Sequence, residues 1–158
     1  MKTTTLKTLA QISAGIMGGT FFGIAGLIGL MNYGGNHGCW EFINRMTGSV
    51  GYESCGMFGD IAGILFGSIF LTLLFYKMNI QRYGKAALWF LLITFVLPVL
   101  YGMTLFGSPF VGTEWLIGVS VTLGHMVASI IPAVVALGCT NFISKLLKRV
   151  QGTKGTSK

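Results

Sequence analysis

The sequence predicts an all-α membrane protein, a four-transmembrane-helix bundle with both termini in the cytoplasm. Three observations predict it: charge is scarce, the apolar residues gather into four long runs, and the basic residues fall on one side of those runs. Only 9% of the residues are charged and 53% are hydrophobic, against about a quarter charged in an ordinary soluble domain. A soluble chain of this length could not cover its surface with so little charge.

The four runs are 8–31, 57–76, 86–106 and 115–143. A helix rises about 1.5 Å per residue, so roughly 20 residues cross a hydrocarbon layer about 30 Å thick, and each run is long enough. The runs are continuous, without the alternation of a membrane β-barrel strand, and so read as helices. The first follows "MKTTTLK", which resembles a secretory signal. It continues uncharged far beyond a signal core of about 7–15 residues and has no A-x-A cleavage site, so it is read as a retained span.

Lys2, Lys7, Lys77, Arg82, Lys85, Lys145, Lys148, Arg149, Lys154 and Lys158 lie on one side of the four runs. Arg45 lies on the other, with all four acids, Glu41, Glu53, Asp60 and Glu114. Cytoplasmic loops carry the excess of Lys and Arg, so the larger group marks the cytoplasmic face. The net charge of +7 then reflects topology and contact with anionic lipid headgroups at the cytoplasmic face. A nucleic-acid site would need a soluble basic surface with interleaved aromatics, which is missing. The residues 1–144 form one transmembrane domain and 145–158 a basic cytoplasmic tail, whose Gly/Thr/Ser/Lys end is expected to stay solvated.

Between the first two runs, "NYGGNHGCWEFINRMTGSVGYESCG" is the only sizeable exterior segment and reads as a loop. Trp40, Phe42, Ile43 and Tyr52 would lay it on the membrane surface or over the bundle mouth. Cys39 and Cys55 flank it, and an oxidising exterior would join them in a disulfide.

Gly15, Gly19 and Gly23 recur every fourth residue in the first run, and Gly59, Gly63 and Gly67 in the second. That spacing places each set on one helix face, where missing side chains let helices pack closely. Tight packing of the hairpin, or of a partner subunit or second copy, is the expected use.

Two ionisable residues lie inside the runs. Reckoned from Lys77, Asp60 stands about 25 Å up the second span, near its outer edge, as a first-turn residue at the positive end of the helix dipole. Glu114 would do the same for the fourth span. His125 lies about 15 Å below Trp115, near the midplane, where ionisable groups are costly and functional by default. Thr94 and Tyr101 offer polar partners on the third span, His125 matching Thr94 in depth and Asp60 matching Tyr101. Asp60 and His125 themselves come out about 10 Å apart in depth, so no direct contact between them is expected. Kinks are expected at Pro98 and Pro132.

No catalytic set, nucleotide loop or C-x-x-C pair is present, so no enzyme activity, metal or cofactor is expected. The compact loops fit a bacterial inner membrane. Two functions remain: a non-enzymatic accessory or complex-forming subunit that acts through helix packing in the bilayer, or a small transporter or channel whose ion or proton path uses Asp60, His125, Thr94 and Tyr101.

Overall fold

The computed structural model describes residues 3–77, 89, 92, 93, 96, 100 and 115–154. All its elements are helices: α1 (Thr3–His37), α2 (Glu41–Thr47), α3 (Tyr52–Lys77) and α4 (Trp115–Lys154). Three are long and apolar enough to cross a membrane, over Lys7–His37, Tyr52–Tyr76 and Trp115–Ser144. The predicted third span, with Thr94, Pro98 and Tyr101, lies outside the described residues apart from Trp89, Leu92, Ile93, Val96 and Leu100, which are helical and exposed. Glu114 also lies outside them.

The side chains are distributed as lipid requires. Leu65, Phe66, Ile69 and Phe70 of α3 and Val127, Ile131, Val135 and Phe142 of α4 are exposed, while Ala10, Ala14, Ala133, Ser68, Thr72 and Ser129 are buried. In water the large apolar groups would be the ones hidden. In a bilayer they cost nothing outside, and small residues inside let backbones approach.

The closest approach is between α1 and α3, which run antiparallel. Gly18 faces Gly67, Phe22 faces Gly63 and Gly26 faces Gly59, so that a Cβ added at Gly63 would overlap the Phe22 carbonyl and one at Gly26 the Gly59 carbonyl. The spacing of four on both chains keeps these positions on facing stripes over more than two turns. Gly15, Gly19 and Gly23 occupy a neighbouring stripe, turned toward both α3 and α4. The two three-glycine faces seen in sequence therefore touch at Gly23 and Gly63 but are offset elsewhere.

Along α1 from Gly15 to Gly23, the neighbours on α3 run from Thr72 back to Asp60 and those on α4 from Ala133 back to His125. Both α3 and α4 are therefore antiparallel to α1 and parallel to each other. At the end where α1 begins and α3 finishes, the Lys7 ammonium lies over the Tyr76 ring, 5.8 Å from its centroid.

The segment between the first two spans is mostly helical, correcting its reading as a loop. Helix α1 continues to His37, where Gly38, at φ 77°, turns the chain and donates its N–H to the Gly34 carbonyl at 2.9 Å. That left-handed cap is one glycine adopts without steric cost. Gly48 (φ 68°) and Gly51 (φ 85°) turn it again around α2. Ile43 pins α2 by complete burial, and the Ser54 hydroxyl reaches Thr47, whose own hydroxyl donates to the Ile43 carbonyl at 2.9 Å. Tyr33 stacks on Trp40, ring centroids 5.0 Å apart. The expected disulfide joins Cys39 to Cys55, with a Cα–Cα distance of 5.6 Å. At the other end α4 stays helical through Lys154, including part of the tail expected to be unstructured, and Pro132 sits within it.

Two outcomes test this packing. Gly63→Ala should lower the melting temperature in mild detergent, since forcing a methyl into a filled backbone contact costs on the order of 1–3 kcal/mol. Gly29→Ala, where a Cβ meets open space, should leave it unchanged or raise it; equal effects of the two substitutions would contradict this helix register. For the disulfide, neither Cys39 nor Cys55 should be alkylated before reduction, and Cys39→Ser should cost about 3 kcal/mol by loss of a closed loop.

Candidate functional site

Three helix faces meet along one seam. Helix α1 contributes Gln11, Gly15, Gly19 and Gly23, α3 contributes Asp60, Ile64, Ser68 and Thr72, and α4 contributes Thr122, His125, Ser129 and Ala133. Spacings of three and four keep each set on one side of its helix. The α1 glycines do a second service here: a Cβ at Gly23 would meet Ile64 and the His125 ring, one at Gly19 the hydroxyls of Ser68 and Ser129, and one at Gly15 the hydroxyl of Thr72. Polar side chains of α3 and α4 fill the space these glycines leave.

In the part of the seam nearest α2, His125 Nε2 lies 2.7 Å from Asp60 Oδ1. This corrects the expectation that the two do not meet. Reckoning Asp60 from Lys77 and His125 from Trp115 measures depth from opposite ends of the bundle. Helix α3 in fact begins at Tyr52, which puts Asp60 about 12 Å in from that end and His125 about 15 Å in from Trp115, within side-chain reach. It also moves Asp60 out of the first turn, where Glu53 stands instead, so Asp60 is not a helix cap. The pairings with Thr94 and Tyr101 lie outside the described residues.

The protonation of the pair follows from its neighbours. His125 Nδ1 is 2.7 Å from the Val121 carbonyl oxygen, an acceptor only, so Nδ1 carries a hydrogen and donates it. Nε2 then faces a carboxylate oxygen. A proton carried by either group would draw the two together, and an unpaired charge buried here would be expensive. The contact does not lie along the ring N–H, and both atoms lack an aligned hydrogen bond. The Asp60 side chain is 27% exposed and that of His125 8%, so the acid is the more accessible partner.

Further along the seam the hydroxyls divide into two kinds. Thr122 and Ser129 donate to the carbonyl four residues earlier in α4, at 2.8 and 2.6 Å. Ser68 Oγ, Thr72 Oγ1 and Gln11 Nε2 are buried without a hydrogen-bond partner among the described residues. Each orphaned buried group costs about 1–3 kcal/mol. Sequence reading passes over these three. The signal is there, in Asp60, Ser68 and Thr72 on one stripe of α3 and in Gln11 on the α1 glycine stripe, but singly each reads as an ordinary helix residue.

No group of three or more His, Cys, Asp or Glu side chains able to hold a metal occurs among the described residues. No protein-family model, curated protein or solved structure matches the chain. The site is therefore read from its own chemistry.

A double-mutant cycle tests the pair. Asp60→Asn and His125→Gln should each destabilise the protein, and the double variant should lose less than their sum, with a coupling energy on the order of 0.5–3 kcal/mol by thermal or denaturant unfolding in detergent. Additive losses would mean that the two side chains do not interact.

Proposed function

We propose that the protein is a small non-enzymatic membrane transporter or channel that handles protons, with the Asp60–His125 pair as its proton-binding element. The supporting observation is the 2.7 Å contact between an acid and an imidazole inside the membrane-spanning part of the chain. Ionisable pairs at that depth mark ion and proton pathways, and imidazole exchanges protons at physiological pH. The proposal takes the bundle to be four-spanning, with both termini cytoplasmic, in a bacterial inner membrane. The parallel run of α3 and α4 supports that topology, since it leaves Lys77 and Trp115 at opposite ends of the bundle. The basic residues flanking α1, α3 and α4 on one side support the orientation and a contact with anionic headgroups.

The accessory-subunit reading keeps one observation in its favour. The glycine faces are occupied within the chain and are not free for a partner, but an apolar groove of about 490 Å³ between α3 and α4, lined by Leu65, Ile69, Ile131, Val135 and Cys139 among others, is open. Co-purification of a stoichiometric membrane partner from native membranes would favour this second reading.

The purified protein in liposomes should collapse an imposed pH gradient under a compensating potassium potential, read with an internal pH dye. Asp60→Asn and His125→Gln should each slow the collapse at least tenfold. A wild-type rate equal to that of empty liposomes would overturn the proposal. Impermeant labelling of intact cells should modify a cysteine at 45 and spare one at 82.

A further inference from the structure

We propose that Ser68 and Thr72, with Gln11 at the mouth, form a hydrated proton path from the Asp60–His125 pair to the end of the bundle where α1 begins and α3 finishes. This deepens the proton-handling reading and rests on it.

The orphaned atoms carry the inference. A buried serine or threonine in a helix has a ready acceptor in the carbonyl four residues back, and Thr122 and Ser129 use it in this same seam. Ser68 and Thr72 do not. Both are completely buried, and their hydroxyls point into the seam, at Gly19 and Gly15 respectively. Gln11 Nε2, also buried, is unpartnered on the α1 stripe one turn beyond Gly15. Buried polar atoms without protein partners are the ones that ordered water satisfies.

The spacing suits water. Asp60, Ile64, Ser68 and Thr72 lie on one stripe of α3, and Ser68 and Thr72 are four residues apart, about 6 Å of rise. Two hydrogen bonds of about 3.0 Å through one water span that distance. The α1 stripe opposite them is glycine from 15 to 23 in steps of four, so α1 adds no side chain to the column, and water between the pair and Ser68 must pass beside Ile64. Each hydroxyl both accepts and donates, so a proton arriving from His125 through water is taken on one side of the oxygen while the hydroxyl's own proton leaves on the other. One proton moves and no group keeps a charge. Gln11 orients the last water and is not itself a relay. Around the pair the described titratable groups are Asp60 from α3 and His125 from α4, and α1 presents Gly23. Asp60 is the more exposed member of the pair.

The test places single cysteines at 68 and 72 in a Cys139→Ser background that retains the Cys39–Cys55 disulfide. Both should react with silver ion or a small methanethiosulfonate applied in solution, whereas cysteines at the exposed apolar positions 65 and 69 should stay protonated in lipid and unreactive. Silence at both 68 and 72 would overturn the path. Thr72→Val, which keeps the shape, gives an independent reading in the folded protein: a hydrated hydroxyl makes the variant melt lower or unchanged, and a clearly raised melting temperature would mean a dry seam and overturn the path. In liposomes, Ser68→Ala/Thr72→Val should slow proton flux at least tenfold with the Asp60–His125 coupling intact. Wild-type flux in that variant would overturn the path and leave the pair's role standing. If wild-type protein carries no flux, the proposed function fails, and thiol reactivity still decides whether the column is wet.

Discussion

The architecture depends on how closely the backbones of α1 and α3 approach. Hydrocarbon offers no hydrophobic drive between helices, so dispersion contact must hold them, and that contact is strongest where side chains are absent. Gly18 against Gly67 and Gly26 against Gly59 provide it, with Phe22 lying over Gly63 between them. Once α1 and α3 are this close, the adjoining α1 stripe of Gly15, Gly19 and Gly23 is carried up against α3 and α4 together. The polar seam is thus a consequence of the glycine contact on the neighbouring face. A helix with one glycine stripe could make a hairpin; a helix with two makes a hairpin and a slot beside it.

The slot is filled by chemistry that lipid would reject. Thr122, His125 and Ser129 enter from α4 and Asp60, Ser68 and Thr72 from α3, while the opposite faces of both helices carry leucine, isoleucine, valine and phenylalanine. An acid and an imidazole in such a slot each make the other tolerable, because a proton carried by either leaves them neutral together. Removing that proton exposes the full cost of an unpaired charge at low dielectric.

At one end of the bundle, α2 and the Cys39–Cys55 bond tie the last turns of α1 to the first turns of α3. Cys55 is completely buried, and a Cβ at Gly34 would touch it and the Tyr52 backbone. The covalent link and the glycine register therefore constrain the same pair of helices from two levels. Sliding α1 by one turn against α3 would break both, which holds Asp60 at the depth where His125 can reach it.

The identity of each long helix was written in the sequence, since continuous apolar runs with almost no charge have one stable form in a bilayer. So was the disulfide, because two cysteines flank a single exterior segment. Helix ends were not, because apolar runs mark where hydrocarbon begins, whereas the helices continue past it: α1 to His37, α3 from Tyr52 and α4 to Lys154. That extension alone displaces Asp60 from its expected depth and hides its contact with His125. Which glycines meet which, and which hydroxyls go unpaired, were decided only by the fold. Spacing of four puts residues on one face of a helix but leaves open which neighbour that face meets, and Gly15 and Gly18 are equally good glycines until the register of three helices assigns one to a threonine hydroxyl and the other to a backbone.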